Sequence, residues 1–151
     1  YTMLPIFKLS ETTELHKNLS YFSTIVSSAK VEGPISEPEM KLLYSLAGKL
    51  NISMENSIKI IQITSKLTTE PLDSNNDRLV FLYDFLKLIY PNEVNDDEVH
   101  LINFFTEGIG FSPTISAKVV SKSIEIFKTE NGSENYINEI NTYLSSEAAL
   151  Y

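Results

Sequence analysis

Laid over itself with a shift of 59 residues, the chain repeats: positions 31–61 fall on 90–120 without a gap. The matches sit where helices need them. Ile35 falls on Val94, Ser36 on Asn95, Glu37 on Asp96, Glu39 on Glu98 and Met40 on Val99; Leu42, Leu43, Leu46 and Leu50 then meet Leu101, Ile102, Phe105 and Ile109. Each copy therefore opens a helix with a side-chain oxygen, Ser36 or Asn95, for the free N–H groups, and with a Glu three residues on that reaches back. Ile35 with Met40, and Val94 with Val99, make a hydrophobic staple. The copies also end alike. Asn51 and Gly110, residue types that tolerate left-handed backbone, stand just past the last turn, each followed by an apolar residue, Ile52 or Phe111. Ser53 and Ser112 then cap a third helix, with Pro113 at a first-turn position where its missing N–H costs nothing.

Ahead of each copy stands another helix. Leu15, Leu19, Phe22, Val26 and Ala29 form one apolar stripe. Its counterpart runs from about 76 to 90, where nine of the eleven residues from 80 on are apolar; this predicts a central helix surrounded by the others. Asn131-Gly132-Ser133 is a turn with Ser133 as cap, opening a last helix over about 133–145 with Tyr136, Ile137, Ile140, Tyr143 and Leu144 on one face. The tail beyond it is expected to fray. Residues 68–76, rich in Pro, Asn and Ser, are the expected mobile connection. No segment alternates with period two between turn signals, so no strand is expected. The expectation is an all-α fold of about seven helices: a duplicated three-helix unit, about 12–66 and 74–128, packed face to face within one domain over 1–151. Neither trio has a stripe wide enough to close on itself, which is why the halves must meet.

Of 151 residues, 42% are hydrophobic, including eight Phe and eight Tyr, enough to fill one core without disulfides. The absence of Cys removes disulfide frameworks, Cys-ligated zinc, iron–sulfur clusters and thiol catalysis. Twelve Lys and Arg against twenty Asp and Glu leave a net charge of −8, the wrong sign for a phosphate backbone, so nucleic acid is not an expected partner. The longest apolar run, 80–90, carries Asp84 and Lys87 and falls short of the roughly 20 residues a membrane helix needs. The start, Tyr1-Thr2-Met3-Leu4-Pro5, lacks the basic and apolar regions of a leader, and the expectation is a chain trimmed ahead of Tyr1.

Helix, short acidic turn, capped helix, sharp corner and helix, all duplicated, resembles the tellurite-resistance TerB-like family, and with it the similar N-terminal domain of a DnaJ-type co-chaperone. The resemblance covers about 12–128 and rests on a loop signature: an alanine or aliphatic residue, Asp-Gly, a variable residue, an aliphatic residue, then Glu four residues on. The first copy, preceded by Ala29-Lys30, reads Val31-Glu32-Gly33-Pro34-Ile35-Ser36-Glu37-Pro38-Glu39, with Glu32 in place of Asp. The second reads Tyr90-Pro91-Asn92-Glu93-Val94-Asn95-Asp96-Asp97-Glu98, with Pro91-Asn92 in place of Asp-Gly. The resemblance implies a small all-α module of the bacterial cytoplasm, without catalytic activity, associated with tellurite and other stress resistance and acting as a scaffold for another protein. It also implies that the acidic loops hold a divalent cation. The donors would be Glu32, Glu37 and Glu39 from one loop and Glu93, Asp96, Asp97 and Glu98 from the other, an all-oxygen set suited to calcium or magnesium. Two other readings stand beside this one: a metal-dependent enzyme built on the acidic loops, and a purely structural interaction domain whose loops are inert.

Carboxylates in a first helical turn offset the positive end of the helix dipole with no ligand at all, the ordinary role for Glu37, Glu39, Asp96, Asp97 and Glu98. Four carboxylates within 93–98 also repel one another, and a cation would relieve that. His100 follows Asp96 by four residues, the spacing of an ordinary helix ion pair as well as of a metal pair. His16 has no partner in the sequence, and two such His do not make a zinc site. Asp73-Ser74-Asn75-Asn76-Asp77 imitates a calcium loop, but Arg78 stands where Gly is needed for the turn, so Ser74 reads as a helix cap. Gly108-Ile109-Gly110 has no strand before it and is a helix end, not a phosphate loop. No nucleophile motif, Glu-x-x-His pair or His-Glu-x-x-His is present, and an enzyme is not expected. Tyr21, Tyr44, Tyr83, Phe104 and Tyr143 lie beside the narrowest stripes; a wide core face accounts for them better than a binding surface.

Overall fold

The local signals of the repeat become hydrogen bonds in a computed structural model that describes residues 13–64, 72–89, 95–130 and 135–146. Among these residues the chain forms seven α-helices and no strand: α1 Thr13–Ala29, α2 Glu37–Lys49, α3 Met54–Ile63, α4 Asn75–Ile89, α5 Asp96–Gly108, α6 Pro113–Glu130 and α7 Tyr136–Ser146. A single 3-10 turn, Lys30–Glu32, follows α1. α2 and α5 start and stop at positions related by the shift of the repeat, and α3 and α6 start so. The cap Ser133, the first part of the 68–76 connection and the tail beyond Ser146 lie outside the described residues.

Both capping boxes close. Ser36 Oγ accepts from the Glu39 N–H at 3.3 Å while Glu39 Oε1 accepts from the Ser36 N–H at 3.4 Å. Asn95 Oδ1 accepts from the Glu98 N–H at 2.9 Å, and Glu98 Oε1 from the Asn95 N–H at 3.3 Å. The stops match as well: the Ile52 N–H donates to the Ala47 carbonyl at 2.8 Å and the Asn51 N–H to that of Gly48 at 3.2 Å. The Phe111 and Gly110 N–H groups repeat this on Thr106 at 3.3 Å and Glu107 at 3.1 Å. Such a pair of hydrogen bonds requires left-handed backbone between the two helices, and Asn51 and Gly110 have φ of 58° and 125°. Ser53, Ser112 and Ser74 each accept from the N–H three residues on.

α4 is not the surrounded helix that its composition predicts. It buries Leu79, Leu82, Phe85, Leu86 and Ile89, but Val80 is 46% exposed and Asp84 and Lys87 face solvent. Burying those two charges without partners would be expensive, so they set an outer side. The most extensive helix contact is instead α1 on α5. Small groups let the two backbones approach: a Cβ on Gly108 would lie 2.8 Å from Thr24 Cγ2 and 3.2 Å from the Thr24 carbonyl oxygen. Thr24 and Thr106 each donate to the carbonyl four residues back, at 2.8 Å, so their buried hydroxyls are satisfied within their own helices.

Around this contact Tyr21 meets Phe81, Phe85 and Phe105 with ring centroids 5.0, 5.4 and 5.7 Å away, and Phe85 stacks on Phe105 at 4.4 Å. Tyr21 and Phe104 are buried, and Tyr44, Tyr83 and Tyr143 are half-buried against the core, as a wide core face requires. The buried side chains of all seven helices make one cluster. The two trios differ at their third helices. The Lys30 ammonium donates to the carbonyls of Ile61 and Thr64 and so closes the end of α3. α6 runs on to Glu130, and its added turns bury Ile126 and Phe127 near Tyr136, whose hydroxyl shares a 2.6 Å hydrogen bond with Ser123.

Candidate functional site

The two acidic corners meet through α2 and α5. Glu39, in the first turn of α2, places Oε2 2.9 Å from Nε2 of His100 on α5. Glu98, in the first turn of α5, accepts from Nζ of Lys49 in the last turn of α2 at 2.8 Å. Each box-closing Glu is thus held by a basic side chain of the other copy. Both ends of the Lys49–Glu98 pair also sit where a helix dipole favours them, the ammonium at a C-terminus and the carboxylate at an N-terminus. Glu98 is 3% exposed, and its Oε2 is buried without a hydrogen-bond partner among the described residues.

His100 does not pair with Asp96, the partner its spacing suggests. Its ring rests edge-on against Phe104 at 4.6 Å and turns toward α2, where Glu39 is partly shielded from water, whereas Asp96 is exposed. Glu37, Asp96 and Asp97 are all exposed and in no ion pair among the described residues. Glu93 lies outside the described residues, and Glu32 is described by its backbone alone. The structure therefore brings Glu39 and Glu98 against α2–α5 partners and leaves the exposed three apart. Among the described residues no three His, Asp or Glu side chains gather as a set of metal ligands.

The hydrogen bond from His100, with those from Ser36 behind it, holds the Glu39 carboxyl below its ordinary value of 4.5. A group whose folded-state pKa is lowered adds stability that is present above the unfolded value and lost as pH falls through the folded one. Urea unfolding followed from about pH 6 to about pH 3 should therefore show a loss of stability that is smaller in a His100→Ala variant. Equal losses in the two proteins would mean that the bond does not form in solution.

A cleft of about 340 Å³, with Leu88 among its lining residues, opens between α1, the corner joining α2 to α3, and α4. Lys17, Asn18 and Tyr21 line it from α1, Asn51 from the corner, and Asp84 and Lys87 from α4. Burial, and after it the charge of Asp84, push the Tyr21 phenol up to about 12, so it carries its proton at neutral pH. No spacing in the sequence joins these residues, which come from three separate segments. The one sequence signal is the pair of charges inside the apolar run of 80–90. No helix among the described residues is long and apolar enough to cross a membrane. No family model matches the chain, and no curated protein or solved structure matches it either.

Proposed function

We propose that the chain is a non-enzymatic TerB-like helical module, an interaction scaffold for another protein in a stress response of the tellurite-resistance kind, working in the bacterial cytoplasm. In this reading its acidic corners are internal clasps. The observation that supports it is the pair of capping boxes in which Glu39 and Glu98 are each bonded to a side chain of the opposite copy. Carboxylates engaged in this way hold the two halves in register. A net charge of −8, with Glu37, Asp96 and Asp97 exposed, suits a partner that presents basic groups, since opposite charge speeds encounter.

Calorimetric titration with calcium, magnesium and manganese tests the clasp. The expected result is no binding heat and an unchanged melting temperature. A saturable heat with a higher melting temperature, both lost in an Asp96→Asn/Asp97→Asn variant, would replace the clasp by the cation-responsive reading. One observation favours that alternative: the buried Oε2 of Glu98 is an oxygen a divalent ion would satisfy. For the partner, a photoreactive side chain at Asp97 should trap one discrete protein in native cells, and the same group at Asn138 on α7 should trap none. Equal adducts from both positions would remove the scaffold reading.

A further inference from the structure

We infer that the cleft between α1, the α2–α3 corner and α4 binds a small carboxylate that also carries a hydroxyl or amino group. This goes beyond the scaffold reading and does not depend on it, because none of its residues belongs to the acidic corners. The volume, about 340 Å³, falls within the roughly 300–1,000 Å³ of small-molecule sites. Two ammonium groups, Lys17 and Lys87, face one carboxylate, Asp84, so the cleft reverses the sign of a chain with net charge −8. None of the three is in an ion pair among the described residues. Asp84 and Lys87 are one helical turn apart, yet the Lys87 ammonium lies 5.3 Å from the centroid of the Tyr83 ring and leaves Asp84 unpaired.

The polar groups below these charges are fixed in place. Tyr21 is 3% exposed and its ring is wedged among Phe81, Phe85 and Phe105, while its hydroxyl has no hydrogen-bond partner among the described residues. Asn18 is 7% exposed, and its Nδ2 donates to the Leu50 carbonyl at 2.9 Å, which leaves its own carbonyl oxygen to accept. Asn51 is held beside it by the left-handed stop of α2. Groups held this way need no ordering when a ligand arrives. Lys17, Lys87 and the Tyr21 hydroxyl are donors and match the oxygens of a carboxylate; Asp84 and the Asn18 carbonyl are acceptors and match a hydroxyl or ammonium. A bare anion would meet Asp84 with nothing to offer it, and a bare cation would meet two lysines.

NMR titration of the full chain with glycine, lactate, acetate and inorganic phosphate tests the inference. Glycine or lactate should give saturable shifts at the amides of Asn18, Asn51 and Asp84, with acetate at least about tenfold weaker for want of a donor to Asp84. Tyr21→Phe keeps the ring and removes the hydroxyl, and should weaken binding about fivefold while leaving the melting temperature nearly unchanged. Lys87→Ala, at an exposed position, should weaken it at least as much. The inference is overturned if neither glycine nor lactate saturates, if the shifts map elsewhere, if acetate or phosphate binds as tightly, or if Lys87→Ala binds like the parent.

Discussion

Lys49→Met is expected to lower the stability of the protein by about 3 kcal/mol, a large effect for a residue at the edge of the core. Lys49 itself keeps 18% of its side chain exposed, but the carboxylate it holds at 2.8 Å keeps only 4%. Removing the ammonium leaves Glu98 charged, buried and dependent on a single cap N–H. Glu98→Gln should cost less, because Gln can still accept from the Asn95 N–H and close the capping box without a charge. The double variant Lys49→Met/Glu98→Gln should then recover about half of the loss, a coupling of about 1–3 kcal/mol between positions 49 residues apart in sequence. Urea unfolding of the four proteins gives the cycle directly. If the two single effects simply add, the corners do not clasp the halves together and the structural role proposed for them fails.

Gly110→Val is expected to cost about 3 kcal/mol, and two separate faults contribute. A β-branched residue rarely adopts a φ of 125°, which the stop of α5 requires. Even with the backbone held, a Cβ there would lie 2.7 Å from Nε of Arg78. Arg78 has little freedom to retreat, because Nε donates to the Leu72 carbonyl at 2.9 Å, Nη1 to Asn75 at 2.8 Å, and its guanidinium lies 5.5 Å from the centroid of the Phe111 ring. The same corner receives the Leu72 N–H on the Ile109 carbonyl at 2.9 Å, so the damage reaches the lead-in to α4. At the equivalent stop, Asn51→Ala should cost only about 1 kcal/mol, since φ of 58° is the left-handed well that non-glycine residues reach at modest strain and the Asn51 side chain is exposed. Urea midpoints compare the two. Equal costs would show that the second corner lacks the geometry described.

The unequal cost of two look-alike corners separates what is local from what is not. That Asn51 and Gly110 both end a helix follows from bonds spanning five residues, Ile52 to Ala47 and Phe111 to Thr106. The caps at Ser36 and Asn95 span only three. Residues within about one turn of each other decide such bonds, so the bounds of α2 and α5 were readable from residue order, and the spacing of apolar residues made the all-helical class and the wide core face readable as well. That Arg78 stands over one stop is decided by the fold.

The same holds for the acidic corners. Glu39 and Glu98 were identifiable as box-closing residues, but nothing within a turn of either names His100 or Lys49, because those partners depend on how α2 crosses α5. Composition placed α4 at the centre; the centre went to α1 and α5, where Gly108 and Thr24 allow two backbones to come closer than larger side chains would permit. The cleft, too, exists only once α1, the α2–α3 corner and α4 are side by side. The starts of α2 to α6 and the stops of α2 and α5 follow from residue order, since those caps and turns close within a few bonds of the chain, whereas the end of α3 waits on Lys30, more than thirty residues away. Which helices touch and which charges pair come from the three-dimensional packing, since those outcomes rest on the volumes and crossing of surfaces far apart in sequence.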